Sequence, residues 1–166
     1  MKLNMENHKK GDTGTQYNDA KNDSTQTVPD AEATKELLEL ANMFLHSSYW
    51  FLILSVTLTR VDLSGLAWAA KQKDMVCREA AMTILSWIME TGGRVELVDI
   101  ARPRMGESVT AEYAVRKWDQ VDRWMERETE KMVEMAVEDV NTGMEEMLRK
   151  ILETITNGYL TGQRQS

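Results

Sequence analysis

Few side chains in this 166-residue sequence have the chemistry of a catalytic or metal-binding group. The single cysteine, Cys77, could act as a redox sensor or a soft metal ligand, and His46, beside Ser47-Ser48, could bind a metal at a surface. A buried cysteine that packs as a small apolar residue and an ordinary packed or surface histidine are the favoured interpretations. The sequence has no glycine-rich phosphate loop, nucleophile triad or zinc-ligand spacing.

Two larger groups of residues also have a chemical and a structural interpretation. The acids between Glu126 and Asp139 could bind cations loosely, but ion pairs with Arg127 and Lys131, three or four residues away, explain most of them. A set of large apolar residues could line a cofactor pocket, although core or interface packing is favoured: Trp118, Trp124, Met125, Met132 and Met135.

The overall charge restricts the class of partner. The formal net charge is -7, and nucleic-acid binding needs a basic surface, so we expect no nucleic-acid partner. The acidic balance suits cations, but a solvated acidic surface is the simpler explanation. Hydrophobic residues make up 42% and charged residues 28% of the chain, as in an ordinary globular domain, and its length suits one domain.

The N-terminal segment predicts a cytoplasmic protein. Residues 1–30 are polar and charged, which is typical of a flexible tail without a signal-peptide core. No arginine precedes Arg60, which argues against a mitochondrial presequence, and the apolar run Tyr49–Leu58 is far shorter than the ~20 residues that span a bilayer. One cysteine cannot form an internal disulfide, so a reducing compartment is expected.

The hydrophobic periodicity predicts four helices in residues 31–157, which makes the chain all-α. The first predicted helix is capped by Asp30 and runs to about Arg60, and the second runs from Asp62 or Ser64 to Glu90. The third runs from about Glu107 to Asn141, and the fourth from Met144 to about Thr156. Gly92-Gly93 ends the second helix, and a long connection containing Pro103 follows. Asn157-Gly158 shortens the fourth helix, and residues 158–166 are a polar C-terminal tail.

Three sequence segments are similar to the ferritin family. Gly92 to Pro103 (GGRVELVDIARP) resembles the ferritin segment that leaves helix B and starts the long crossover. Ser47-Ser48-Tyr49 in helix A and Asp62 to Ala67 at the start of helix B are similar too. The resemblance extends over residues 33 to about 156. It implies an antiparallel four-helix bundle with a crossover between helices 2 and 3, and an oligomeric shell that stores iron.

The resemblance also indicates where a di-iron centre would lie. Catalytic ferritin subunits use a glutamate on helix A, Glu-x-x-His on helix B and a glutamate on helix C. An ungapped comparison anchored at Gly92-Gly93 places Asn42, the Cys77 and Ala80 pair, and Asp122 at these positions, with Tyr49 at the site's tyrosine. Alanine cannot ligate iron and asparagine is a weak donor, so Asp122 and Tyr49 are interpreted as relic positions of a site without ferroxidase activity.

Other iron-handling positions of the family have also changed. The positions that match mineral-nucleating glutamates on helix B carry no acid: Trp68, Lys71, Gln72 and Met75. Glu146 falls at an acid of the threefold channel, but Arg149 stands where a second acid belongs, and opposite charges weaken a cation funnel. The family's longer fourth and additional fifth helices have no counterpart here, which puts a closed shell of this chain alone in question.

The sequence therefore predicts a ferritin-like subunit without ferroxidase activity or a tightly bound cofactor. It would be a structural or diluting member of an oligomer with ferritin-like subunits, associated through the wide apolar face of its first helix. The alternative is a structural or adaptor helical bundle outside iron biology. A third class, a di-metal oxygenase or oxidase, requires carboxylate and histidine ligands that the matching positions do not carry.

Overall fold

Side-chain caps define where three of the four helices begin. The computed structural model describes residues 29–106 and 108–165, and side chains as far as residue 157. The first helix, α1 (Ala31–Arg60), begins after Asp30, whose carboxylate accepts a 2.7 Å hydrogen bond from the Ala33 N–H. Such a cap satisfies one of the backbone donors that a helix leaves unpaired at its start. Residues 1–28 of the predicted flexible tail, which spans residues 1–30, lie outside the described residues.

Local signals also mark boundaries of the other three helices. Helix α2 (Ser64–Glu90) ends before Gly92, whose φ of 89° lies in the left-handed region that glycine adopts without strain. Helix α3 (Ala111–Glu138) is capped by the Thr110 hydroxyl, which accepts a 3.1 Å hydrogen bond from the Tyr113 N–H. Helix α4 (Thr142–Gln165) is capped by the side-chain oxygen of Asn141, which accepts from the Met144 N–H at 3.1 Å. The described residues contain no strand, so the all-α prediction is confirmed.

The connections arrange the helices as an antiparallel bundle. Three residues join α1 to α2 and three join α3 to α4, so each pair is an antiparallel hairpin. The crossover, residues 91–110, separates α2 from α3. The start of α4 at Gly143 lies beside the ring of Trp87, near the end of α2, which makes α2 and α4 antiparallel and α2 and α3 parallel.

The core lies along the axis of this bundle. Its largest fully buried side chains come from all four helices: Phe44, Phe51, Leu54, Ile84, Ile88, Met125, Met144 and Leu148. Tyr49, Leu52 and Val56 of α1 have the three- and four-residue spacing of an apolar stripe, yet they are exposed in the single chain. The helix is apolar on more than one side, so periodicity alone does not identify its core face.

Two helix boundaries differ from the predicted ones. Helix α3 is shorter than predicted, because Thr110 caps its start and Val140, with φ 51°, lies beyond its end. Helix α4 continues through Asn157-Gly158 to Gln165, so the predicted end of the fourth helix near Thr156 is wrong. A glycine inside a helix costs about 1 kcal/mol relative to alanine, which weakens a helix without ending it. With 24 residues, α4 is still the shortest of the four.

Helix α1 is long and apolar enough by length and composition to cross a membrane. In the structure, 56% of its most apolar window is buried within the bundle, as in the core helix of a folded domain.

Candidate functional site

Two oppositely charged neighbours, Lys73 and Asp74, are buried in the middle of α2. Lys73 is 7% exposed and Asp74 4% exposed. Adjacent residues on an α-helix point about 100° apart, so the two side chains reach different neighbouring helices. Burying an ionic side chain is unfavourable unless a partner compensates for the lost water, so the partners of both residues define the site.

The ammonium of Lys73 lies between α3 and α4. Its Nζ is 2.9 Å from Oδ1 of Asp122 on α3, and it donates to the backbone carbonyl of Ile155 on α4 at 3.4 Å. The side chains of Lys73 and Asp122 are 7% and 11% exposed. One buried cation therefore contacts both α3 and α4.

Asp74 joins α2 to α1. The hydroxyl of Ser48 donates to Oδ1 of Asp74, and the Arg78 guanidinium lies 3.4 Å from the same oxygen. Arg78 is mostly exposed, so it connects the buried carboxylate to solvent. Together, Lys73 and Asp74 provide α2 with polar contacts to all three other helices.

The environment of Asp122 is poor in hydrogen bonds. Burial raises the pKa of this carboxyl group, and the Lys73 ammonium and the Trp118 indole N–H only partly lower it. The 2.9 Å contact with Lys73 is a close charge contact without good hydrogen-bond angles, so both Asp122 oxygens and Trp118 Nε1 are buried without a well-aligned partner. The attraction to Lys73 is thus the principal compensation for burying this acid.

Sulfur atoms adjoin the pair. The Cys77 thiol, one helical turn beyond Lys73, donates to the Met125 sulfur at 3.6 Å, and both residues are completely buried. Burial raises the pKa of Cys77 to about 12, with Lys73 acting in the opposite direction. The thiol therefore stays protonated at neutral pH, whereas a metal-binding or redox-active cysteine needs the thiolate.

The structure separates the two predicted relic residues. Asp122 is buried at the centre, whereas Tyr49 is 40% exposed and Asn42 lines a surface groove near residues 96–98 of the crossover. The aromatic ring of α1 that contacts Trp118 is that of Phe51, at a centroid distance of 5.0 Å.

The inward-facing residues of α1 are thus two positions further along than the ungapped comparison placed them. Phe44 and Phe51 are completely buried and have the same seven-residue spacing as Asn42 and Tyr49. Two residues rotate a helical position by about 200°, to the opposite side of the helix. A shift of this kind arises when a connection between helices differs in length.

The remaining predicted positions are divided between the core and the surface of the bundle. Cys77 and Ala80 are buried on the core face of α2, while Trp68, Lys71, Gln72 and Met75 are exposed along α2. Glu146 is exposed on α4, and the neighbouring Arg149 pairs with Glu145 at 2.8 Å. Among the residues that the structure describes, no group of three or more His, Cys, Asp or Glu side chains could hold a metal ion.

Sequence reasoning missed Lys73. A signal was present, because Ala70, Lys73 and Cys77 are spaced by three and four residues and therefore share the buried face of α2. A lysine at such a position needs a buried anion, and Asp122 lies buried on α3.

Comparisons with known proteins support the fold. No protein-family model and no curated protein matches this sequence. A novel open pore ferritin from the hyperthermophilic archaeon Archaeoglobus fulgidus is similar in structure, with a TM-score of 0.74 and 17% identity over 81% of this chain and 83% of that one. A humanized archaeal ferritin has a TM-score of 0.74 and 18% identity over 82% of each chain. At this identity the similarity shows the fold: the chain is a ferritin-like four-helix bundle.

Proposed function

We propose that this chain is a ferritin-like subunit without ferroxidase activity that acts as a structural or diluting member of an oligomeric shell. The observation that supports this most directly is the Lys73 ammonium, 2.9 Å from Asp122 in the centre of the bundle. A cation supplied by the protein itself stands beside the acid that the resemblance assigns to iron.

Electrostatics argue against iron at this position. A divalent cation at Asp122 would lie close to the Lys73 charge, in an interior where charges interact strongly. Displacing Lys73 would also break its bond to the Ile155 carbonyl and leave a buried ammonium without its anion. The pair therefore disfavours ferrous iron at Asp122.

The neighbouring donors do not offset that repulsion. Cys77, with its pKa of about 12, would have to lose a proton to bind a metal, and Ala80 and Phe44 have no donor atom. Carboxylates normally bridge and neutralise a pair of irons, and Asp122 alone supplies one negative charge.

Oligomerisation and location complete the proposal. The structural neighbours are ferritins, which supports association with ferritin-like subunits, and the exposed apolar residues Tyr49, Leu52 and Val56 of α1 support a protein partner for that helix. We propose a cytoplasmic protein without nucleic-acid or membrane partners or a tightly bound cofactor. In a mixed shell, each copy would replace an active centre with an inactive one.

Ferrous oxidation under air tests the catalytic part of the proposal. Purified protein, its Asp122→Asn variant and an active ferritin receive the same iron load, and the formation of ferric iron is followed by absorbance. We expect wild type and variant to match protein-free buffer, while the active ferritin shows a rapid phase. A rapid phase in wild type that scales with protein and disappears in the variant would refute the proposal.

Native mass tests the structural part. The native mass is measured for the chain alone and after co-expression with an active ferritin subunit. Because a shell contains many subunits, we expect a mass many times that of the 19.0 kDa chain. A monomer or dimer under both conditions would instead favour the adaptor function.

A further inference from the structure

A groove on the surface of the bundle runs between the first half of α1 and the crossover. It has a volume of about 460 Å³ and follows α1 from Ala31 to Leu45, a length of about 21 Å. Two of its crossover residues, Leu97 and Val98, are 70% and 62% exposed. The apolar part of the lining comprises Leu38, Ala41, Leu45, Leu85, Leu97 and Val98. The groove is therefore an apolar surface that the described part of the chain leaves open.

The crossover also presents free backbone groups beside the groove. Residues 94–102 form neither helix nor strand, and within the described residues none of their backbone N–H groups donates a hydrogen bond to another part of the chain. Exposed backbone of this kind is hydrated, and it can instead pair with an extended segment, as the edge of a sheet does. An occupant of the groove can thus combine apolar contacts with backbone hydrogen bonds.

The charged residues of the lining favour a basic occupant. Two acids, Glu39 and Glu96, and one base, Lys35, line the groove and are exposed. Glu96 also lies 3.5 Å from Arg94, but both side chains are mostly exposed, and a surface pair of this kind is weak. The best occupant is therefore an extended segment with apolar side chains on one side and a net positive charge.

The first ten residues of this chain have that chemistry. Apolar and polar residues alternate from Met1 to Met5 (MKLNM), which is the two-residue period of an extended segment with one apolar side. Residues 1–10 contain three lysines and one glutamate, so their charge is opposite to that of the lining.

The connection to α1 brings this segment to the groove. The described chain begins at Pro29, which is buried, and Ala31 itself lines the groove. Residues 6–28 separate Met5 from this point, and a chain of that length reaches roughly 25–30 Å, which covers the whole groove. Such a tether gives an effective concentration of about a millimolar, so even a weak contact would be occupied.

We propose that residues 1–5 of this chain bind in the groove beside α1. The side chains of Met1, Leu3 and Met5 cover its apolar lining, and the backbone of the segment pairs with residues 95–98 of the crossover. Lys2 points away from the lining, towards the acids at the rim. The groove is thus a docking site for the start of the same chain, a contact that is independent of the iron chemistry and of the proposed assembly.

Cysteine crosslinking of the full-length protein tests the contact, because the native Cys77 is completely buried and stays unreactive. Leu3→Cys/Leu97→Cys joins the central residues of the two paired segments. Under mild oxidation it is expected to form a disulfide within one chain, at a rate that does not depend on protein concentration. The disulfide is detected on denaturing gels and by the mass of alkylated protein.

Two substitutions in this crosslinking background separate docking from the mere reach of a tether. Met5→Asp places a charge on the apolar side of the segment and should slow the disulfide at least about tenfold. Asn4→Asp adds the same charge on the polar side and should change the rate less than about twofold. The tether and both cysteines are identical in the two proteins, so equal rates would overturn the proposal.

Hydrogen exchange tests the backbone pairing without any cysteine. In the wild-type background, Met5→Asp should speed amide exchange in a peptide that covers residues 94–102, whereas Asn4→Asp should leave it unchanged. Circular dichroism verifies that each variant is folded. Unchanged exchange in Met5→Asp would contradict the pairing. A crosslink formed mainly between two chains would mean that a second copy occupies the groove, and it too would overturn the proposal.

Discussion

At the scale of single residues, the lysine–aspartate pair in the middle of the bundle carries the functional argument. Lys73 and Asp122 are both buried, and the carboxylate has little compensation other than the ammonium. A buried ion pair of this kind contributes little net stability, because the loss of hydration offsets the attraction. Stability alone therefore does not explain why the pair is present.

Removing one partner at a time should be far more harmful than removing both. Lys73→Met or Asp122→Leu should each lower the free energy of unfolding by about 3–5 kcal/mol, because each leaves an uncompensated buried charge. The double variant Lys73→Met/Asp122→Leu should recover most of that loss. Urea denaturation measures all four proteins.

The exposed pair Arg149–Glu145 is the control for this cycle, with side chains 57% and 31% exposed. Its coupling energy should not exceed about 1 kcal/mol. An equally small coupling between Lys73 and Asp122 would mean that the central pair is hydrated and not the buried contact described above.

The buried thiol makes a separate prediction about pH. The pKa of Cys77 rises from 9.0 to about 12 on folding, so above pH 9 the unfolded chain loses this proton while the folded chain keeps it. The free energy of unfolding should therefore fall as pH rises from 9 towards 12. Cys77→Val, which has no titrating group, should show a shallower alkaline decline in urea denaturation at several pH values. Parallel curves for the two proteins would contradict the buried thiol.

The two predicted relic residues lie in different surroundings, because their assignment depended on register. Asp122 is buried in the middle of the bundle, whereas Tyr49 is 40% exposed. Tyr49 was assigned by an ungapped comparison, and a shift of two residues moves a position to the opposite side of a helix. Lys73 was overlooked because a charged residue on a core face can be interpreted only together with its partner. That partner, Asp122, lies 49 residues away in sequence.

At the scale of elements, helix boundaries followed side-chain caps and glycines. Asp30 and the glycines after Glu90 gave the limits of α1 and α2, since these residues satisfy or end the helical backbone locally. Asn157-Gly158 has the composition of a stop signal but lies inside α4. The sequence could not distinguish these two uses of glycine, because the continuing helix depends on backbone conformation that composition alone does not determine.

Alanine substitution distinguishes the two glycines experimentally. Gly158→Ala should raise the free energy of unfolding by up to about 1 kcal/mol, because alanine favours the helical conformation there. Gly92→Ala should lower it by about 1 kcal/mol or more, because φ is 89° at that turn. Thermal unfolding measures both. A destabilising Gly158→Ala would mean that the helix ends at that residue.

At the scale of the whole molecule, the chain has a ferritin-like fold with a lysine–aspartate pair in its centre. Apolar burial and short hairpin connections fix the architecture, and these were predictable from periodicity. Large apolar residues are exposed on both α1 and α2 in the single chain. The sequence indicated a wide apolar face on α1, but which of its residues are exposed depends on how the helices pack.

The most direct test of the central claim is diffraction from crystals of the protein grown with ferrous salt, using the anomalous signal of iron. We predict no iron peak between α2 and α3, with Lys73 Nζ still in contact with Asp122. Iron bound at Asp122, with the Lys73 side chain displaced from the bundle centre, would contradict the account.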